Sequence, residues 1–157
     1  MDARYINAFL EALVSVLGNF GVTDVKKGSI IKKENMHVDM DITSVIGLVG
    51  DVRGNIAYSL SRDTAKMIVS KMMLGAPVME FDEYARSAIG EMANMITGTA
   101  SIAISGMTAD KVTVIDTTPP SVISGSDIYF IISSVPTIAV GMDTQFGRIE
   151  VNIGLEM

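Results

Sequence analysis

The chain has 157 residues, enough for one domain that buries about two thirds of the surface it exposes unfolded. A hydrophobic content of 48% and a mean hydropathy of +0.40 imply a well-filled core and exclude a disordered chain. Eighteen acidic against 12 basic residues leave a net charge of −6, which argues against nucleic acid as a partner, and zero cysteines exclude disulfides, thiolate metal sites and a cysteine nucleophile.

The basic clusters, Lys26-Lys27 and Lys32-Lys33, are too short for a phosphate-binding track. The opening Met-Asp-Ala-Arg carries no basic stretch followed by an apolar core, and with the absence of cysteine this predicts a cytoplasmic setting. The longest weakly apolar window, residues 88 to 107, is interrupted by Glu91, Asn94, Gly90, Gly98 and Gly106, so no membrane span is expected.

Asp2 is the expected N-cap of a first helix reaching about Leu17, with Ile6, Phe9, Leu10, Leu13 and Leu17 at helical spacing and Gly18 and Gly21 as stops. From Val25 to Ser61 the pattern changes to strands. Ile30-Ile31 and then Met36, Val38, Met40 and Ile42 alternate with polar residues, as half-buried strands do. Val45 to Val49 and Asn55 to Leu60 read as two more strands around a turn at Asp51 to Gly54. Ser61 caps a second helix that buries Ala65, Ile68, Val69 and Met72, and Gly75 and Pro77 end it. Asp82 caps a long third helix ending near Gly106. Strands follow at Val112 to Ile115, Ile128 to Ser133, Thr137 to Met142 and Arg148 to Leu155, with Thr118-Pro119-Pro120 as an irregular connector. The predicted fold is α+β, a mostly antiparallel sheet packed against helices, one of them long and site-bearing, in a single domain spanning 1–157.

Several possible sites reduce to structure. Gly47, Gly50 and Gly54 lack the Lys-Ser/Thr and the following helix of a phosphate loop and fit strands and hairpin turns. His37, the sole histidine, has no cysteine or clustered carboxylate to complete a zinc site and no Gly-x-Ser-x-Gly elbow to serve. Asp39, Asp41 and Asp51 lack calcium-loop spacing and read as a solvated strand edge and a turn, so no metal site is expected. The 12 methionines mainly fill core gaps, although such side chains also make adaptable contact surfaces.

The third helix offers more. Ser87, Glu91, Asn94 and Gly98 stand at i, i+4, i+7 and i+11 and share a face within roughly 60° of arc. Gly90, Thr97 and Ser101 flank this stripe with small residues, making a low shelf that another molecule could approach closely. Glu91 and Asn94 fit two readings: an ordinary solvent-facing pair, or a tool. A carboxamide both donates and accepts, so Asn94 can hold a water aimed at phosphorus. Hydrolysis of an acyl phosphate needs little more, since its loose transition state is served by positioning and charge neutralisation. Glu91, one turn away, can pair with a lysine of an incoming partner.

The stretch Ser87-x-x-x-Glu91-x-x-Asn94-Met95-x-x-Gly98 resembles the signature helix of the CheC–CheX–FliY family of chemotaxis phosphatases, most closely its CheX branch. Similarity extends along the chain through Val45-Ile46-Gly47, Gly54-x-Ile56-x-Tyr58-Ser59, Met72-Met73-x-Gly75, Thr118-Pro119-Pro120-Ser121-Val122 and Ser124-Gly125. The resemblance implies hydrolysis of the phospho-aspartate of a CheY-type response regulator. It implies that Asn94 orients the attacking water and Glu91 contacts the regulator's active-site lysine. Ser87, Gly90 and Gly98 would meet the partner, and Mg²⁺ would sit in the partner's receiver domain, with no cofactor bound by this chain. One Glu-x-x-Asn motif implies one site per chain, where CheC-like relatives carry two, and the CheX branch implies a homodimer with sheets joined across the interface. Two other classes compete: a non-catalytic adaptor docking a receiver domain or signalling scaffold through the same shelf, and a small-molecule-binding domain using a methionine-lined surface.

Overall fold

In the computed structural model, which describes residues 1–156, helix α1 runs Ala3–Asn19. The Asp2 carboxylate caps it by accepting the Arg4 backbone N–H at 2.9 Å. The Arg4 guanidinium hydrogen-bonds the same carboxyl, and this holds it below its ordinary pKa. The helix passes through Gly18 and ends at Asn19 with Phe20 as its C-cap, just before Gly21, whose φ of +88° no helix accommodates. Phe9, Leu13, Val16 and Leu17 form its buried face.

The strands are β1 (Lys26–Lys33), β2 (Met36–Val38), β3 (Ile42–Gly50), β4 (Arg53–Leu60), β5 (Ile115–Thr117), β6 (Ser121–Ser124), β7 (Phe130–Ser133), β8 (Thr137–Thr144) and β9 (Gly147–Glu156). Two further helices are α2 (Arg62–Met72) and α3 (Glu83–Ser105). Among the described residues, seven strands form one sheet in the order β1-β8-β9-β4-β3-β5, with β6 also paired to β3. Every pairing in it is antiparallel. The helices lie on one face, over a core that includes Ile46, Ile56, Tyr58, Leu60, Val140, Val151 and Ile153. The architecture is α+β, and no helix is long and apolar enough to cross a membrane among the described residues.

The opposite face carries a small second sheet, β2 with β7. Met36 and Val38 press onto Ala57, with Val45 and Ile132 at the margin. Lys33 fastens this sheet down. Its ammonium donates to His37 O at 2.9 Å, to Glu150 Oε1 at 2.9 Å and to Asn152 Oδ1 at 2.8 Å, which satisfies all three of its donors.

Four expectations about the strands change. The alternation from Met36 to Ile42 is not one strand: the chain bends at Asp39 to Asp41, and Ile42 opens β3 in the large sheet. Asp41 is no solvated edge residue, because its carboxylate accepts the Arg62 N–H at 3.0 Å at the start of α2 and its carbonyl accepts the Gly125 N–H. Ile30 and Ile31, which point to opposite faces of the outer strand β1, are both exposed, so neither face of the sheet is covered there. Residues 112–114 are not a strand; pairing with β3 begins at Ile115, and β6 forms just beyond the Pro-Pro step.

Ser61 caps α2 by accepting the Thr64 N–H at 3.1 Å. The helix unwinds through Leu74 and Gly75, both left-handed at φ 58° and 91°, and the Gly75 N–H bonds back to Ser70 O. Leu74 is 99% exposed, so no packing offsets its conformation. Leu74→Asn should therefore stabilise the fold by about 0.5–1 kcal/mol in thermal unfolding, because asparagine tolerates this region at lower cost. Gly54→Ala should act in the opposite sense. At φ +146° a Cβ would lie 2.0 Å from Gly154 O, so urea titration should show a loss of about 2 kcal/mol or more.

Candidate functional site

Helix α3 starts where the Asp82 carboxylate accepts the Ala85 N–H at 2.9 Å, with Glu83 in the first turn on the favourable side of the helix dipole. Ala85, Ile89, Met92, Ala93, Ile96, Ala100 and Ile104 are buried along its inner face, against α1, α2 and β3. Thr97 is buried with them and shares a 2.8 Å hydrogen bond with the Tyr58 hydroxyl. Burial pushes that phenol well above its ordinary pKa, so it stays neutral. Ser101 donates to Thr97 O at 2.8 Å. Thr97 and Ser101 are thus internal polar contacts of the helix rather than open margins of the shelf.

With the inner face so committed, the polar stripe turns outward. Ser87 and Glu91 are exposed, and Asn94 and Gly98 are half-buried. Ser87, Gly90, Glu91 and Asn94 meet Arg86, Pro120 and Val122 around a shallow cavity of about 320 Å³. Gly98 does not line it; it lies one turn further along, where a Cβ would meet nothing within 4 Å.

The wall of this cavity comes from the segment between β5 and β6. Thr118 doubles back on β3, donating its N–H to Gly47 O at 2.9 Å and accepting the Gly47 N–H on Oγ1 at 2.8 Å. Pro119 and Pro120 then carry the chain to β6 without backbone donors of their own. Arg86 secures the far end, donating to Val122 O and to Ser124 Oγ. Gly90 allows the contact, since a Cβ there would approach the Pro120 ring to 3.3 Å. Its smallness serves the chain's own packing, whereas that of Gly98 does not.

Two polar groups remain free for chemistry. Glu91 is in none of the ion pairs among the described residues, which are Arg4–Asp2, Lys26–Asp24, Lys33–Glu150, Lys66–Asp63 and Arg148–Asp143. The side-chain hydrogen bonds around the cavity, from Arg86, Ser101 and Tyr58, leave the Asn94 carboxamide unengaged. An exposed carboxylate thus stands one turn from a free carboxamide in a depression just large enough for a small group.

The other candidate residues lie elsewhere. His37 stacks on Tyr129 at 5.4 Å between ring centroids, with Nδ1 2.7 Å from Asn35 Oδ1, on the far side of the sheet. Asp51 accepts the Val114 N–H at 2.9 Å. Among the described residues no three His, Cys, Asp or Glu side chains are grouped to hold a metal ion. Sequence reasoning missed Arg86 and the wall it fastens. The Thr118-Pro119-Pro120 step was a visible signal, but its pairing with α3 is a tertiary contact that no local pattern encodes.

Residues 42–140 match the family described as chemotaxis phosphatase CheX. The CheY-P phosphatase CheX of Thermotoga maritima is 33% identical over 128 residues, covering 82% of this chain and 80% of that one. The crystal structure of a CheX chemotaxis protein from Desulfovibrio desulfuricans superposes with a TM-score of 0.83 at 28% identity, covering 97% of this chain and 99% of that one. A chain of the CheX–CheY–BeF3–Mg²⁺ complex from Borrelia burgdorferi shares the fold, with a TM-score of 0.73 at 24% identity and 98% coverage of each chain.

Gly98 of the stripe and Gly90 beside it should respond oppositely to substitution. Gly98→Ala, mid-helix and unopposed, should raise stability by about 0.5–1 kcal/mol. Gly90→Val should lower the melting temperature and speed amide exchange in residues 118–124, because the branched side chain displaces Pro120. Thermal unfolding and hydrogen exchange read both.

Proposed function

The chain belongs to the CheX family of chemotaxis phosphatases, and from that premise we propose that its α3 shelf hydrolyses the phospho-aspartate of a CheY-type response regulator. As a family member the protein is a response-regulator phosphatase, a hydrolase. The observation that carries the residue-level reading is the convergence of Ser87, Glu91 and Asn94 on one shallow cavity beside Pro120 and Val122.

In this reading the regulator presents its phosphorylated carboxylate to the cavity. The Asn94 carboxamide oxygen accepts one O–H of a water and leaves a lone pair of the water oxygen facing phosphorus. That oxygen bonds to phosphorus as the bond to the aspartyl oxygen breaks. The aspartate leaves as a carboxylate, and the water's protons pass to the phosphate. Because the transition state is loose, holding the water in line is the main contribution required of the chain. Glu91 pairs with the regulator's active-site lysine and so sets the register in which Asn94 arrives. Ser87 borders the same cavity, Gly90 lets the wall close down beside it, and Gly98 leaves room for the partner's backbone one turn on. Mg²⁺ belongs to the regulator in this scheme and supplies charge neutralisation at the phosphoryl group. The protein would act in the cytoplasm, where such regulators are phosphorylated.

We also propose a homodimer. The open ladder of β1 supports it, because Ile30 and Ile31 stay exposed on the outer strand of the large sheet. Size-exclusion chromatography with light scattering should give twice the mass of the 16.7 kDa chain, and Ile31→Lys should shift it towards one.

The decisive experiment compares the decay of a phosphorylated CheY-type regulator from the same cell without protein, with wild type and with Asn94→Ala. Wild type should accelerate decay, and Asn94→Ala should lose that acceleration by about 100-fold or more. The substitution should change folding stability by less than about 0.5 kcal/mol, since Asn94 supports no internal hydrogen bond. Undiminished acceleration by Asn94→Ala would remove the water-orienting role. Binding without any acceleration by wild type would identify an adaptor.

A further inference from the structure

Just N-terminal to the shelf the chain leaves an apolar corner open. Val69, Met73, Val78, Met79 and Tyr84 line a cavity of about 330 Å³ between the end of α2 and the start of α3, and Glu80 and Asp82 give it an acidic margin. Met79 and Tyr84 at its mouth are 82% and 80% exposed, so the fold gains little from either side chain. Contiguous apolar exposure of this kind marks a contact surface.

Its position relates it to the shelf. Tyr84 precedes Glu91 by seven residues, which places it about 20° away around the helix and about 10 Å along the axis. The phenol therefore stands nearly in line with Glu91, on the side from which a partner of the shelf approaches. The charge around it is negative. Glu80 and Glu83 are exposed beside Met79 and Tyr84; Arg86 is turned inward to Val122 and Ser124, and Lys71, in the last turn of α2, lies over the Phe146 ring.

The shelf itself is polar and small, and Ser87, Glu91 and Asn94 offer few apolar contacts. Protein interfaces draw most of their affinity from a few desolvated aromatic and aliphatic anchors surrounded by a polar rim. The corner has that composition and the shelf does not. A second copy of this chain docked through the same corner would bring Glu80 and Glu83 against their own like charges.

We propose that Tyr84 and Met79, rimmed by Glu80 and Glu83, form the docking half of the regulator-binding surface, taking an apolar side chain that lies beside a lysine or arginine of the regulator. The inference rests on the phosphatase reading and divides its surface in two. The corner determines how tightly and selectively the regulator is held, and the shelf determines how fast the held phosphate is lost.

Steady-state hydrolysis of a CheY-type regulator from the same cell, phosphorylated with acetyl phosphate, tests the division. Tyr84→Ala and Met79→Ala should each raise KM about tenfold with kcat and melting temperature unchanged. Glu83→Lys should raise KM at low salt, with the difference shrinking as salt increases. Unchanged KM in both alanine variants, or a fall in kcat at constant KM, overturns the proposal while leaving the phosphatase reading intact. If wild type itself does not accelerate phosphate loss, binding of the beryllofluoride-loaded regulator decides. Weaker binding by Tyr84→Ala preserves the docking role without catalysis, and equal binding removes both.

Discussion

The roll of α3 about its own axis is the constraint on which the site depends. Ile89, Met92, Ala93, Ile96 and Ala100 are all fully buried, so a rotation of even one residue would expose apolar surface and bury Glu91 or Asn94. The apolar contacts alone would tolerate some slippage. The Tyr58–Thr97 hydrogen bond removes it, because each hydroxyl is buried and has the other as its partner. One internal polar contact, supplied by a strand in the middle of the sheet, thereby aims an external polar stripe.

The second element of the site is held by different means. Its wall hangs from β3 through the paired bonds of Gly47 with Thr118 and is fastened to the helix by Arg86. The guanidinium spends donors on a backbone carbonyl and a serine hydroxyl, so the cation nearest to Glu91 along the helix does not neutralise it. The carboxylate remains available to a cation from outside. Construction of the wall and charge of the shelf are thus settled by the same side chain.

Local rules were legible in the sequence and non-local ones were not. The caps at Asp2, Ser61 and Asp82 were readable because capping involves residues two or three positions apart. The stripe was readable because helical spacing fixes which residues share a face. The alternation through Met36 and Ile42 misled because period-two patterning is blind to a bend, and the bend is imposed by Asp41 reaching the backbone of α2. The exposure of Ile30 and Ile31 depended on sheet order, which no single strand reveals. Gly90 and Gly98 were indistinguishable in sequence; one lies under a proline and the other faces empty space. Arg86 carried no local signal, because its partners lie 36 and 38 positions away.

Placing the reactive stripe on the outer side of a core helix, rather than on a loop, also fixes how the protein fails. The residues that aim Glu91 and Asn94 belong to the same buried cluster that joins α1, α2 and the large sheet. They have no separate opening unit through which the stripe could be lost while the remainder persists. Fraying of the outer strand β1, or lifting of the small β2–β7 sheet, leaves that cluster untouched. The orientation of the stripe should therefore be lost only with global melting, and partially unfolded forms that retain α3 in place keep the stripe turned outward.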